Sequence, residues 1–406
     1  MSAHANPDIV EDNLVFMYDT DDGKSYKGEP TVNLATDSPS QGGWAGGREV
    51  LDSSRKKFKL IVNNFNGSAG SGQGWRSFTW DLNSYSGQSV TISATVEVPS
   101  ASPGTFAWIM MGQGNTHTNS SGAGGYMGYS AASERVQKTT TTTEHITWTG
   151  TVGSTGTASQ PSGHVGFTLW YNGGTIGVDS YVEVSNVQIE INSHATQFVN
   201  GTRSATQGLI DRTGTSTINI SNASFNSNAQ MTFDGTDDYA NVDHQSSYDT
   251  NVFTIEAWFK STADDNTHDS IVTRNGDVYS STNGWSLGKL RNGLGDTPNA
   301  LRWIVWGTSA YTDLLGGSAT TGNWIHAVGV SDGSTLYLYQ NGVLKTSSSK
   351  PAGNIYPASY GLKVGANKSS SDVWNGYIDS VKMYNKALTA SEVLQNFNAT
   401  KSRFGL

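Results

Sequence analysis

Carboxylates gather at two places in this sequence. The run TADDNTHD holds Asp264, Asp265 and Asp269, and FDGTDDY holds Asp234, Asp237 and Asp238. Clustered carboxylate oxygens, with backbone carbonyls, are what a hard cation such as calcium takes as ligands. For FDGTDDY a plainer role is preferred, in which Asp side chains accept N–H bonds within a turn and Gly235 supplies the unusual backbone angle. TADDNTHD reads as a loop between strands, which leaves calcium open at Asp264, Asp265 and Asp269. Tryptophan offers another chemistry, because an exposed indole face stacks on the C–H face of a sugar ring. Of the 12 tryptophans, Trp148, Trp258 and Trp324 fall in step with apolar rows and read as core. Trp44, Trp75, Trp285 and Trp374 stand beside glycine and polar turns and are the candidates for glycan contact.

Other reactive patterns fail on their context. GWSLG, residues 284–288, matches Gly-x-Ser-x-Gly, but a nucleophile elbow needs a strand, a strained turn and then a helix. Here a turn-rich LRNGLG follows, so GWSLG reads as a strand with small residues. The 8 histidines are scattered singly, which argues against a zinc centre, and His326 reads as a satisfied core residue. With no cysteine in the chain, disulfides, thiol nucleophiles and Cys-based zinc sites are excluded.

The segments that would position these groups read as strands. NWIHAVGVSDGSTLYLYQNGVLKT alternates apolar and polar residues and is cut by Asp332-Gly333 and Asn341-Gly342, dipeptides that suit tight hairpins. It predicts a three-stranded antiparallel meander with Trp324, His326, Val328 and Val330 on one face. SVTISATVEV, HITWTGTV, YVEVSNVQIEI, FTIEAWFK and LRWIVWG continue the pattern. With 47 glycines and only 15% charged residues over 406 positions, the chain reads as all-β, built of sandwich domains. One helix is predicted in LTASEVLQNFNATK. Thr389 and Glu392 have capping-box spacing, and Val393, Leu394 and Phe397 form a stripe expected on a sheet edge or rim.

A formal charge of −9 without a basic stripe argues against nucleic acid as a partner. The small cluster Arg55, Lys56, Lys57 and Lys59 reads as edge-strand protection against sheet-to-sheet pairing. MSAHANPDIVEDNLVFMYD lacks a basic region followed by an apolar run, and no stretch is apolar for long enough to span a bilayer. Neither Sec-type export nor membrane insertion is expected.

FDGTDDYANV, FTIEAWFK, GNWIHAVGVSDGSTLYLYQNGVLK and NGYIDSVKMYNKALTASEVLQNFN, in that order across residues 201–406, resemble the laminin-G-like jelly roll of the concanavalin A-like lectins. In such domains an opening strand of the type LVFMYDTDDGKSY closely precedes FDGTDDY, whereas here it stands far earlier, at residues 14–26. An insertion accounts for the gap: residues 36–196, with GWRSFTWDL, VTISATVEV, HITWTGTV and YVEVSNVQIE, resemble a carbohydrate-binding-module sandwich. The expected organisation is an arm at 1–13, a discontinuous jelly roll at 14–35 plus 197–406, and an inserted sandwich at 36–196. Simple tandem sandwiches are the alternative. Insertion requires residues 14–19 to pair with strands beyond residue 200.

This arrangement, with ATQFVNGTRSATQGLID at the junction, resembles structural proteins of tailed phages, particularly those of marine cyanobacteria. The resemblance implies a non-enzymatic virion protein of the tail, baseplate or capsid surface, made in the host cytoplasm. It would act as a homo-oligomer within a symmetric assembly. Its partners would be other virion proteins, reached in part through the N-terminal arm, and host-surface polysaccharide. No cofactor is required; a calcium at a sandwich rim is the one such group the resemblance suggests. The alternative is a polysaccharide-binding or depolymerising enzyme of the concanavalin A-like fold. Glucanases of that fold present Glu-x-Asp-x-x-Glu along a strand, a spacing this chain lacks. Glu183 and Glu190 would face opposite sides of a regular strand. Related modules often carry an acid in the last strand near the position of Ser185-Asn186, so a structural calcium there is disfavoured.

Overall fold

In the computed structural model the chain forms two compact units, Met1–Pro30 with Ser204–Leu406, and Thr31–Arg203. The structure describes residues 8–37, 40–43, 47–62, 73–98, 106–116, 125–126, 134–138, 142–152, 164–172, 180–263, 268–276, 283–290 and 299–406. The fold is all-β with one short α-helix near the C-terminus.

The first unit stacks two antiparallel sheets. One has eight strands: Ser224–Phe225, Met231–Asp234, Asn375–Tyr384, Val252–Ser261, Trp324–Asp332, Thr335–Gln340 and Val343–Ser349 in order, with Leu14–Asp19 pairing Asn375–Tyr384 from the side. Leu14 lies opposite Tyr384 and Asp19 opposite Ser380, the pairing that an interrupted jelly roll requires. The other sheet has seven strands: Ile218–Ser221, Tyr239–Val242, Leu362–Val364, Asp269–Arg274, Gly284–Lys289, Leu301–Trp306 and Tyr311–Gly316. Between them lies an aromatic-rich core that includes Phe16, Tyr18, Phe253, Phe259, Trp285, Trp303 and Trp374. The predicted meander is present, and Asn341 (φ 52°) and Gly342 (φ 76°) make the left-handed turn that their dipeptide favours.

Alternation along Trp324–Asp332 suggests a half-buried strand, yet His326, Val328 and Val330 on its outward row are buried like Ile325 and Ala327 on its inward row. A third layer covers them. The C-terminal helix, Ala390–Thr400, lies on the face of the eight-stranded sheet rather than at its rim, and Val393 and Leu388 pack with Val10, Val328, Val330, Tyr339 and Tyr384. Its capping box is formed: Thr389 Oγ1 accepts from the Glu392 N–H, and the Glu392 carboxylate accepts from the Thr389 N–H at 2.8 Å. The predicted stripe is rotated, however. Leu394 is 44% exposed and Asn396 is buried in its stead.

The reason is polar. Glu256 and Lys382 are opposite each other on adjacent strands, their side chains almost wholly enclosed, with Lys382 Nζ 2.6 Å from Glu256 Oε1. Removing such a pair from water costs more than its attraction returns unless the remaining lone pairs are also bonded. Asn396 supplies that bond, Nδ2 donating to Glu256 Oε2 at 2.8 Å. Burial pushes the Glu256 carboxyl up, but Lys382 and His326 outweigh it and hold the group below its ordinary value. His326 is not the satisfied core residue expected: Nε2 stands 3.4 Å from Glu256 Oε1, and neither ring nitrogen has a well-formed hydrogen bond. Its ring tilts against Trp258, 5.0 Å between centroids.

The N-terminal arm was expected to order against a neighbouring protein. Its described part is instead held by its own chain. Val10 N donates to Asn396 Oδ1 at 2.8 Å, Tyr384 Oη donates to Val10 O at 3.0 Å, and Gln395 Nε2 donates to Asp8 O at 2.8 Å. Lys386 also pairs with Asp12 at 3.0 Å.

The second unit pairs a five-stranded sheet, ordered Thr142–Thr151, Ser89–Val98, Ser180–Glu190, Lys57–Val62, Gly47–Asp52, with a six-stranded one through Phe106–Thr116, His164–Asn172 and Gln73–Asp81. Its core joins Val90, Ile92, Val96, Trp148, Val184 and Ile189 to Trp80 and Val165. Two expectations are corrected here. Lys57–Val62 is flanked by strands on both sides, so its lysines do not guard an edge; Lys57 pairs with Glu183, Lys56 with Asp37 at 3.0 Å, and Lys59 lies over the Tyr181 ring. Ser180–Glu190 is not regular either: a bulge between Ser185 and Gln188, with Asn186 at φ 52°, shifts the alternation. Val182, Val184, Val187 and Ile189 therefore all face the core, and Glu183 and Glu190 share the other face.

Gly329 leaves room for the Trp303 indole, whose nearest atom would stand 2.7 Å from an added Cβ. Gly329→Ala is expected to cost about 1–3 kcal/mol of overpacking, read as a fall of several degrees in Tm of the purified chain; an unchanged Tm would show that the indole is free to move aside.

Candidate functional site

The acidic residues of FDGTDDY sit in the turn between Met231–Asp234 and Tyr239–Val242, where Gly235 takes φ 78°. One oxygen of each of Asp234, Asp237 and Asp238 falls within 4.8 Å of the others. Internal bonds already use them: Asp238 Oδ2 accepts from Asp234 N at 2.8 Å, Asp234 Oδ1 from Thr236 N at 2.7 Å, and Asp237 Oδ2 from Asn222 Nδ2 at 2.8 Å. The carboxylates thus act as turn acceptors, as the sequence reading prefers. Burial pushes the Asp238 carboxyl up; the bond from Asp234 N opposes this, and the charges of Asp234 and Asp237 add to the rise.

Of the TADDNTHD carboxylates, only Asp269 lies among the described residues. Asp264 and Asp265 lie outside the described residues. Asp269 is not in a loop but in the strand Asp269–Arg274, where its buried carboxylate faces Lys289 Nζ at 2.8 Å. Two of the four candidate tryptophans are corrected as well. Trp285 and Trp374 are fully buried: Trp285 stacks on Phe253 at 5.4 Å, and Trp374 meets Phe259 edge-on at 5.2 Å. Alternation explains it, since Trp285 shares the inward row with Leu287. Trp44 lies outside the described residues; Trp75 lies in the strand Gln73–Asp81, opposite Trp170, and its side chain is outside what is described.

What the sequence reading missed is on the outward row of that same strand. Gly284, Ser286 and Gly288 alternate with Trp285, Leu287 and Lys289, so the outer face of the seven-stranded sheet has a floor of small residues. Ser270 and Gly276 extend it, and Ile304, Trp306 and Arg302 rise beside it, leaving a narrow recess of about 10 Å³, room for about one water molecule, which His268, Asp269 and Lys289 also line. Ser270, Ser286, Ile304 and Trp306 are each less than a tenth exposed, so the recess is too small and too enclosed to admit a ring. Arg302 is fixed by a two-pronged contact with Asp313, at 2.8 to 3.1 Å. Ser286 Oγ lies 3.3 Å from Ser270 Oγ. The GWSLG motif is thus strand, as expected, and its serine has no histidine partner among its described hydrogen bonds.

Residues 234–394 match the concanavalin A-like lectin/glucanases superfamily. No curated protein matches the chain. Among solved structures, the receptor-binding domain of botulinum neurotoxin D is similar at 15% identity and TM-score 0.39, over 49% of this chain and 51% of that one. Domain 4 of AbnA, an extracellular arabinanase from Geobacillus stearothermophilus solved with arabinotriose, is similar at 18% identity and TM-score 0.36, over 48% of this chain and 92% of that one. The chain spans about half the length of the neurotoxin domains it resembles.

A carboxyl whose pKa is raised by folding stabilises the fold below its unfolded value and withdraws that stability as pH rises through its folded value. Asp238→Asn keeps the acceptor for Asp234 N and removes the charge. The variant is expected to melt above the parent at pH 7, with the gap closing below about pH 4. A parent that melts higher, or whose Tm rises with millimolar calcium while the variant's does not, would mark the turn as a cation site.

Proposed function

We propose that this chain is a non-enzymatic attachment protein of a virion, carried on the tail, baseplate or capsid surface in several copies within a symmetric assembly. In this reading it is made in the host cytoplasm, contacts other virion proteins, and binds host-surface polysaccharide. The virion part rests on the sequence resemblance alone. The binding part rests on the match of residues 234–394 to the concanavalin A-like lectin/glucanases superfamily.

A catalytic role is disfavoured by how the buried carboxylates are engaged. Glu256 serves Lys382 and Asn396, Asp269 serves Lys289, and Asp19 and Asp379 both serve Arg403. Glu190 accepts from Thr196 N at 2.8 Å and from Gln188 Nε2 at 2.9 Å. Retaining glycosidases need two carboxylates facing each other across a sugar, and these five are held within the protein by structural partners. The reading requires no cofactor.

Incubation with envelope polysaccharides is expected to give saturable binding without release of reducing ends. Release of reducing ends above background would replace this reading with the enzymatic one. Absence of saturable binding would remove the glycan part of this reading.

A further inference from the structure

The buried group under the C-terminal helix contains more than an ion pair needs. Lys382 Nζ and Asn396 Nδ2 are bonded to the two oxygens of one carboxylate, Glu256 Oε1 at 2.6 Å and Oε2 at 2.8 Å. The amide of Asn396 is oriented without ambiguity: Oδ1 accepts from Val10 N at 2.8 Å, and Nδ2 also contacts Tyr384 Oη at 3.0 Å. All three side chains are buried, and Trp258, Tyr384 and Val393 enclose the site with them. An amine, a carboxamide and a carboxylate bridging both, shut away from water, are the parts of an amide-exchange reaction.

We propose that Lys382 and Asn396 join in an intramolecular isopeptide bond, with Glu256 as the proton carrier. Lys382 and His326 hold Glu256 as a carboxylate, so the reaction runs through the minor arrangement in which the shared proton has crossed their 2.6 Å hydrogen bond; the pair is neutral overall either way, and a neutral amine forms without net charge. The Lys382 Nζ lone pair then attacks Asn396 Cγ, and the carbonyl π pair moves onto Oδ1, where the Val10 N–H stabilises it as a backbone donor does in an oxyanion hole. Glu256 passes its proton to Nδ2 and takes one from the attacking nitrogen. The Cγ–Nδ2 bond breaks and the Cγ–Nζ bond remains. The ammonia leaves neutral and Glu256 keeps the last proton, so no unpaired anion is left in the enclosed site. No oxidant, metal or cofactor is needed.

The arrangement also explains two otherwise separate features. The helix turns Asn396 rather than Leu394 inward, and the segment at Val10 is bonded to the carbonyl oxygen of that same asparagine. The N-terminal segment thus completes the reaction site, and the bond forms only after residues 8–13 and the helix have both docked. Its product fastens the helix to the strand Asn375–Tyr384 covalently.

The test is the intact mass of the folded, full-length chain measured after denaturation. The parent is expected to be lighter than its sequence by one ammonia, with a proteolytic fragment joining the peptides of Lys382 and Asn396. Glu256→Gln and Lys382→Arg are expected at full sequence mass, and Asn396→Asp, whose leaving group is water, one water below its own. Cyclisation at an Asn-Gly dipeptide also releases ammonia, so a loss that persists in Lys382→Arg overturns the proposal. So does a parent chain that holds its full sequence mass after prolonged incubation in the folded state, a result that does not depend on any variant folding.

Discussion

A carboxylate buried on the outer face of a sheet constrains everything around it. Glu256 lies on Val252–Ser261, a central strand whose inward row fills the core, and its own side would be the solvent side of a simple two-layer sandwich. Once that side carries an enclosed anion, the structure must supply a cation, a second donor and a cover. Lys382 answers from the adjacent strand and Asn396 from the helix, and Val10 closes over Asn396. Breaking such a pair from one side costs roughly 3–5 kcal/mol, a large share of ordinary domain stability. The two ends of the described chain are thereby tied to one point.

The two sheets of this unit consequently differ in character. The outer face of the eight-stranded sheet is sealed by helix, by the N-terminal segment, and by Phe404, which stacks on Trp258 at 4.0 Å. Trp258 is fully buried and donates its indole N–H to Thr400 Oγ1 at 2.9 Å. The seven-stranded sheet instead carries small residues on its outer row, where Ser286 and Gly288 line a recess with room for about one water.

Much of this organisation was legible from local pattern. Strands announced themselves through alternation, the meander through Asp332-Gly333 and Asn341-Gly342, and the helix start through Thr389 and Glu392. What misled was the assumption that a tryptophan beside glycine is exposed. Trp285 and Trp374 have glycine neighbours because another strand's backbone comes close there: a Cβ at Gly284 would meet Arg274 O, and one at Gly376 would meet Lys260 O. The same alternation that buries Trp285 sets Gly284, Ser286 and Gly288 outward, so the signal for the recess lay in a motif dismissed as a false nucleophile elbow. Glu183 and Glu190 were assigned to opposite faces because a bulge at Asn186 leaves no compositional mark. The polar group at Glu256 was hidden for a different reason: its members lie 126 and 140 residues apart, and nothing in short-range periodicity links them.

The central claim, that the terminal segments are structural parts of the sheet's cover and not appendages, is tested most directly by native-state amide hydrogen exchange. Slow exchange of the amides of Val10 and of Val393 to Thr400, at rates matching those of the Val252–Ser261 strand, is the result this account predicts. Rapid exchange at Val10 and along the helix, beside a protected sheet, would contradict it.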